Sequence, residues 1–191
     1  MRLFIALNLP EKARNRLYHA VAPLRDAGFP VRWTDPDHFH LTLKFLGEVR
    51  SDILPIADRV IERVVRETKE FPVSIGGIGA FPTIRLPNVI WVGVEPSPAL
   101  RCLKQDLEWG LAGHGFERET RAFHPHITIG RIEGDEGAGA FRGMDGVAAG
   151  ISYRVKVAVK SVDLMRSQLS KQGPNFTLLR ESPLRSGARK R

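Results

Sequence analysis

Residues 38–48 read HFHLTLKFLGE, and residues 123–133 read FHPHITIGRIE. Each stretch contains a histidine, an apolar residue, a threonine and a second apolar residue: His40-Leu41-Thr42-Leu43, then His126-Ile127-Thr128-Ile129. The chain has only six histidines, so the repeat of one tetrad is conspicuous. Alternation of apolar and polar residues predicts a strand at both places. Successive strand side chains turn to opposite faces. Leu41, Leu43, Ile127 and Ile129 are therefore expected in a core, with His40, Thr42, His126 and Thr128 on the open side. Two such strands brought together would place two imidazoles and two hydroxyls around one space.

The flanking sequence supplies the rest of the fold. Residues 2–9 alternate as a strand, and Pro10 and Glu11 open a helix that carries Ala13, Leu17, Val21 and Leu24 to a stop at Gly28. A short strand is expected near 31–33. A second helix is expected over 51–69, with Ile53, Ile56, Val60 and Val64 as its stripe. Strands near 73–78 and 89–94 flank GAFPTIRLPN, which reads as a proline-rich loop. Ser97 and Pro98 fit the N-cap and first turn of a third helix, with a stripe of Leu100, Leu103, Leu107 and Leu111. Residues 134–150 are rich in glycine and alanine and predict a loop with a short helix. Residues 153–160, 162–169 and 175–180 read as three more strands. Helices do not alternate one for one with strands, which predicts an α+β fold with mainly antiparallel pairing. One domain is expected over 1–182, with a basic, disordered tail at 183–191.

Composition narrows the class. The 191 residues, 42% of them hydrophobic, suffice for a real core. A single cysteine excludes a disulfide framework and fits a reducing, cytoplasmic setting. No apolar stretch is long enough to span a bilayer, and the N-terminal apolar run lacks signal-peptide features. The net charge of +8 would draw polyanions, although solubility explains such a charge equally well.

Histidine titrates near neutrality, so one imidazole can be neutral while another is protonated. Paired general acid–base catalysis requires that combination. Hydroxyls suit anionic oxygens whose charge shifts in a transition state. Arg131 could clamp a phosphate, but its odd spacing from His126 reaches the same face only through a bulge or a strand end. Phe45 shares parity with Leu41 and Leu43, which favours the core. Cys102 lies on a helix away from both tetrads, which leaves water or a substrate hydroxyl as nucleophile. His38, His40, His124 and His126 together offer a rival zinc site, but one that leaves the threonines unexplained and sets Pro125 within the extended segment. IGGIGAF is no phosphate loop, and GDEGAGAFRG is no calcium loop. Arg154, Lys156 and Lys160 fit either a phosphate groove or a solvated sheet face. Trp33 and Trp91 fit the core or a cleft wall.

The two tetrads, with RLFIALNLP at the start, VRW and LKFLGEV around the first, and GIGAFP and VIWVGVE in the middle, resemble the 2H phosphoesterases, and within them the RNA 2′,3′-cyclic phosphodiesterases, also called 2′-5′ RNA ligases. The resemblance spans roughly residues 1–181. It implies a bilobal fold with a cleft between two antiparallel sheets and helices on their outer faces. It implies opening of a 2′,3′-cyclic phosphate to a 2′-phosphomonoester without metal or cofactor, and related 2′-5′ joining. His40 matches the family's proton donor and His126 its proton acceptor. Thr42 and Thr128 match the phosphate-holding threonines. Phe45 falls at the base-stacking ring and Arg131 at the phosphate-binding arginine. The expected partners are RNA or oligonucleotide ends bearing the cyclic phosphate, acted on by a monomer with no membrane attachment. Two alternatives remain: an RNA-binding module with little catalysis, and a metal-dependent hydrolase using the histidine clusters.

Overall fold

Two apolar stripes organise one side of the molecule. In the computed structural model, which describes residues 1–170 and 173–187, helix α3 (Leu54–Glu67) buries Ala57, Val60, Ile61, Val64 and Val65. Helix α4 (Pro98–Ala112) buries Leu100, Leu103, Leu107 and Leu111. Ser97 caps α4, its hydroxyl accepting from the Leu100 N–H at 3.3 Å. The first predicted helix is divided into α1 (Glu11–Ala20) and α2 (Ala22–Asp26). Pro23 lies in the first turn of the second piece, where its missing N–H costs nothing. A short α5 (Met144–Ala149) lies in the Gly/Ala-rich segment, as expected.

The strands are β1 (Arg2–Asn8), β2 (Arg32–Trp33), β3 (His40–Glu48), β4 (Phe71–Thr83), β5 (Leu86–Val94), β6 (His126–Arg131), β7 (Arg154–Val159), β8 (Ser161–Ser170) and β9 (Gly173–Pro183). They form one sheet in the order β7-β4-β5-β6-β3-β1-β8-β9, with β2 beside β6. Every pairing is antiparallel. The fold is α+β, as the sequence predicts.

The expected two sheets are two arms of this one sheet. β3 and β6 meet only at Leu41 opposite Ile127. Beyond that contact β2 takes the place beside β6, with Trp33 opposite Gly130 and Arg32 opposite Arg131. The arms can therefore diverge on either side of a single shared rung.

The faces of the sheet differ. Leu3, Ile5 and Leu7 of β1 join Leu41, Leu43, Ile127 and Ile129 in one core beneath the helices. Phe4, Ala6 and Met165 form a separate small cluster with Phe176 on the other face. Among the described residues no helix side chain joins this second cluster, so its aromatic rings are left to build a site.

One expected loop is absent. β4 runs through to Thr83 and β5 begins at Leu86, so only Ile84 and Arg85 turn the hairpin. Pro82 and Pro87 face each other at a register shift beside the turn. Strands tolerate proline at such ends and irregularities. At the C-terminus, Leu184 is buried, and Arg185 donates its N–H to the Thr68 carbonyl and accepts from the Glu70 N–H. Part of the expected 183–191 tail is thus fastened to the segment after α3; residues 188–191 lie outside the described residues. Among the described residues no helix is long and apolar enough to cross a membrane.

Candidate active site

Both tetrads lie where the arms meet. His40 and Thr42 stand opposite Asn8 and Ala6 of β1. His126 and Thr128 stand opposite Gly93 and Trp91 of β5. Alternation buries Leu41, Leu43, Ile127 and Ile129 to 3% exposure or less, and leaves the histidines and threonines at the wall of a cleft of about 1100 Å³.

A matched irregularity adds two further residues to this wall. In the β1–β3 ladder Ala6 pairs with Thr42 but Ile5 pairs with Lys44, so Leu43 is skipped. In the β5–β6 ladder Trp91 pairs with Thr128 but Ile90 pairs with Gly130, so Ile129 is skipped. Each is a bulge, which inserts one residue and re-aims the side chains beyond it. Phe45 then pairs with Phe4, and Arg131 with Val89, both on the tetrad face. Phe45 is 63% exposed at the cleft, against the core position that simple parity gave it. Arg131 lines the same cleft.

The bulges are held from outside the sheet. Lys104 of α4 donates from Nζ to the Leu43 carbonyl at 3.0 Å, and the Thr34 N–H donates to the Ile129 carbonyl at 2.9 Å. Lys104 also bonds Glu108 Oε1 at 2.7 Å, while Lys44 Nζ bonds Glu108 Oε2 at 2.7 Å and the Glu117 carbonyl. Burial alone would raise the Glu108 carboxyl, but the hydrogen bonds from Lys104 and Lys44 outweigh it and hold the group below its ordinary value.

The two histidines are oriented alike. His40 Nδ1 lies 2.7 Å from the His38 carbonyl, and His126 Nδ1 lies 2.7 Å from the His124 carbonyl. A carbonyl only accepts, so each Nδ1 carries the hydrogen and Nε2 is left for a substrate. Phe176 stands edge-on to His40 at 5.0 Å and to His38 at 5.1 Å. Phe81 stands edge-on to His126 at 5.0 Å and to His124 at 5.3 Å. A second ring backs each site: Phe4 lies 5.0 Å from His40, and Trp91 lies 6.2 Å from His126. Burial lowers the His40 pKa to about 4, with the charges of His38, Arg131 and His126 adding to the effect. Burial also pushes His126 below its ordinary value, with His124 and Arg131 contributing. Both rings are therefore neutral near pH 7.

The sequence reading missed Phe4, Phe81 and Phe176. Phe81 sat in the presumed loop, and Phe4 and Phe176 alternate like any strand residue. Of the two tryptophans the sequence could not place, Trp33 lines the cleft, and Trp91 packs against Phe81, His124 and His126. The four clustered histidines do not assemble around a common point: among the described residues no group of three or more His, Cys, Asp or Glu could hold a metal. Arg154, Lys156 and Lys160 are exposed on or beside the edge strand β7, away from the cleft wall.

Comparison with known proteins identifies the family. The profile of the 2′-5′ RNA ligase superfamily matches residues 9–170. The chain is 31% identical to the RNA 2′,3′-cyclic phosphodiesterase of Methanothermobacter thermautotrophicus over 177 residues, covering 93% of this chain and 95% of that protein. Its fold is similar to the crystal structure of TT0787 of Thermus thermophilus, with a TM-score of 0.79 at 27% identity over 98% of this chain and 100% of that one. E. coli LigT complexed with 3′-AMP is also similar, with a TM-score of 0.72 at 26% identity over 96% of this chain and 97% of that one.

Proposed function

Because this chain belongs to the 2′-5′ RNA ligase superfamily, we propose that it is an RNA 2′,3′-cyclic phosphodiesterase that works without metal. The observation that carries the reading is the matched setting of His40 and His126, each with Nδ1 on a backbone carbonyl and Nε2 left to the cleft.

The reaction follows from that pair. A 2′,3′-cyclic phosphate bound between the arms places its phosphorus between the two Nε2 atoms. His126 Nε2 takes a proton from water as the water oxygen bonds to phosphorus. The bond from phosphorus to O3′ breaks, and His40 delivers its Nε2 proton to that oxygen. The products are a 2′-phosphomonoester and a free 3′-hydroxyl. His40 alone is neutral near pH 7, so it becomes an acid only when the phosphate brings its negative charge beside the ring and raises its pKa. Substrate binding thus arms the acid. Thr42 and Thr128 donate to the non-bridging oxygens, whose charge grows as water adds. Arg131 offers its guanidinium to the same oxygens, and Phe45 offers an exposed ring to the terminal base. If a 5′-hydroxyl of a second strand attacks instead of water, the same bond breaks and a 2′-5′ linkage forms.

The substrate class is RNA or oligonucleotide ends. The test is hydrolysis of a 2′,3′-cyclic mononucleotide in the presence of a chelator. Turnover to the 2′-phosphate, abolished in His40→Ala and His126→Ala, is the expected result. Turnover that disappears with chelator, or RNA binding with no turnover, overturns the reading.

A further inference from the structure

Arg32 and Arg131 face each other directly across the β2–β6 pairing. Like charges so placed destabilise a sheet unless an anion lies between them. Arg2, at the start of β1 in the other arm, lines the same cleft as both. Its charge and that of Arg32 both reach the Arg131 guanidinium, which burial already pushes below its ordinary value. Neutralisation within the protein is slight: Arg32 pairs with the exposed Glu133 at 2.7 Å, and among the described residues neither Arg2 nor Arg131 has a carboxylate partner. Arg32 is also given its place by a neighbour. Gly173, at the start of β9 with φ +111°, approaches so closely that a Cβ there would collide with the guanidinium. The cleft therefore holds more cationic capacity than one reacting phosphate uses: of its four arginines, Arg121 pairs with Glu119, and Arg2 and Arg32 have no part in the proposed chemistry.

We propose that Arg2 and Arg32, from opposite arms, form a second phosphate subsite beside Arg131, which takes the phosphate on the 5′ oxygen of the nucleoside that carries the cyclic phosphate. The inference rests on the proposed cyclic phosphodiesterase reading for the position of the first phosphate. In a polynucleotide this second phosphate is the internucleotide one; in a mononucleotide it is a terminal 5′-phosphate. The subsite makes the protein select ends of chains over cyclic mononucleotides. Guanidinium groups suit the task, since they bind phosphate oxygens bidentately and keep their charge at any working pH.

The test is equilibrium binding, which does not depend on turnover. Adenosine 2′-monophosphate and adenosine 2′,5′-bisphosphate are titrated into the full chain, together with the dinucleotide ApA bearing a terminal 2′-phosphate. The bisphosphate and the dinucleotide are expected to bind about tenfold or more tightly than the monophosphate. Arg2→Gln and Arg32→Gln are each expected to narrow that ratio. In the unaltered protein, the dinucleotide is expected to show a steeper salt dependence than the monophosphate, by about 0.7 in log Kd per log salt for one extra phosphate contact. A gain for the bisphosphate without one for the dinucleotide would assign the subsite to terminal phosphates. Equal affinity for all three ligands in the unaltered protein overturns the subsite, as does a ratio that both variants leave intact. Failure of the cyclic mononucleotide assay, with these ratios retained, would overturn the enzymatic reading alone.

Discussion

Leu43 and Ile129 are counterparts: each is the residue its partner strand skips, three positions after the histidine of its own strand. Each also has its carbonyl taken by a donor outside the sheet, Lys104 for Leu43 and the Thr34 N–H for Ile129. The symmetry of the tetrads thus extends to the defect at the last residue of each, and through it to Phe45 and Arg131.

The hold on the first bulge can be removed. Lys104→Met frees the Leu43 carbonyl and takes one of two cations from Glu108. A loss of about 1–3 kcal/mol is expected, since a buried acceptor is left without its donor. Glu108→Gln leaves two largely buried lysines without their counter-charge, and about 3–5 kcal/mol is expected. Urea unfolding of the two variants measures the order. For Lys104→Met, KM for cyclic nucleotides should rise more than kcat falls, because Phe45 loses its aim while the histidines keep theirs.

The threonines separate chemistry from folding. Thr42→Val and Thr128→Val keep shape but remove a hydroxyl donor. Each is expected to lower kcat by about 100-fold, the low end of the range for one lost donor to a charge that grows in the transition state. The circular dichroism spectrum should not change. Unfolding of either variant would assign the hydroxyls to the fold.

Acid should weaken the protein on its own. His40 has a folded pKa of about 4, below its ordinary 6.5. Between those values the unfolded chain binds a proton that the folded chain does not, so stability falls as pH drops from about 6.5 towards 4. Urea midpoints from pH 7 to pH 4 test this, with His40→Phe expected to flatten the dependence. A bound 2′-phosphate should move the His40 titration upward, which ring-proton NMR measures directly. Catalysis should follow a bell-shaped pH profile, since one ring must be neutral and the other protonated; a flat rate from about pH 5 to 9 contradicts the two-histidine assignment.

Trp91 owes its place to a glycine. A Cβ on Gly79 would collide with the Trp91 ring, and Trp91 packs against both His124 and His126. Gly79→Ala should displace the indole and cost about 1–3 kcal/mol, the usual range for overpacking. The rate should fall as well, although residue 79 contacts no substrate. A change in Trp fluorescence that accompanies the loss of rate ties the two effects together.

What sequence can reveal of this site has a clear boundary. Alternation places His40, Thr42, His126 and Thr128 correctly, because strand parity is a local property and their apolar neighbours set the face. Parity fails for Phe45 and Arg131, since a bulge is fixed by hydrogen bonds from Lys104 and Thr34, far away in the chain. The rings that hold the histidines are hidden for a related reason: Phe81 lies among prolines that suggest a loop, and Phe176 reaches His40 only through the folding of β9 onto β8. The two-arm architecture is legible from the repeat. That the arms share one sheet depends on a single contact that leaves no mark in composition or spacing.

That contact, Leu41 opposite Ile127, has a mechanical consequence. One rung is too little to fix the gap between His40 and His126, so its width follows from how the buried leucines and valines of α3 and α4 fill the space behind the sheet. Trimming a methyl group there would retune the reaction from the far side of the protein, with every residue of the cleft left in place.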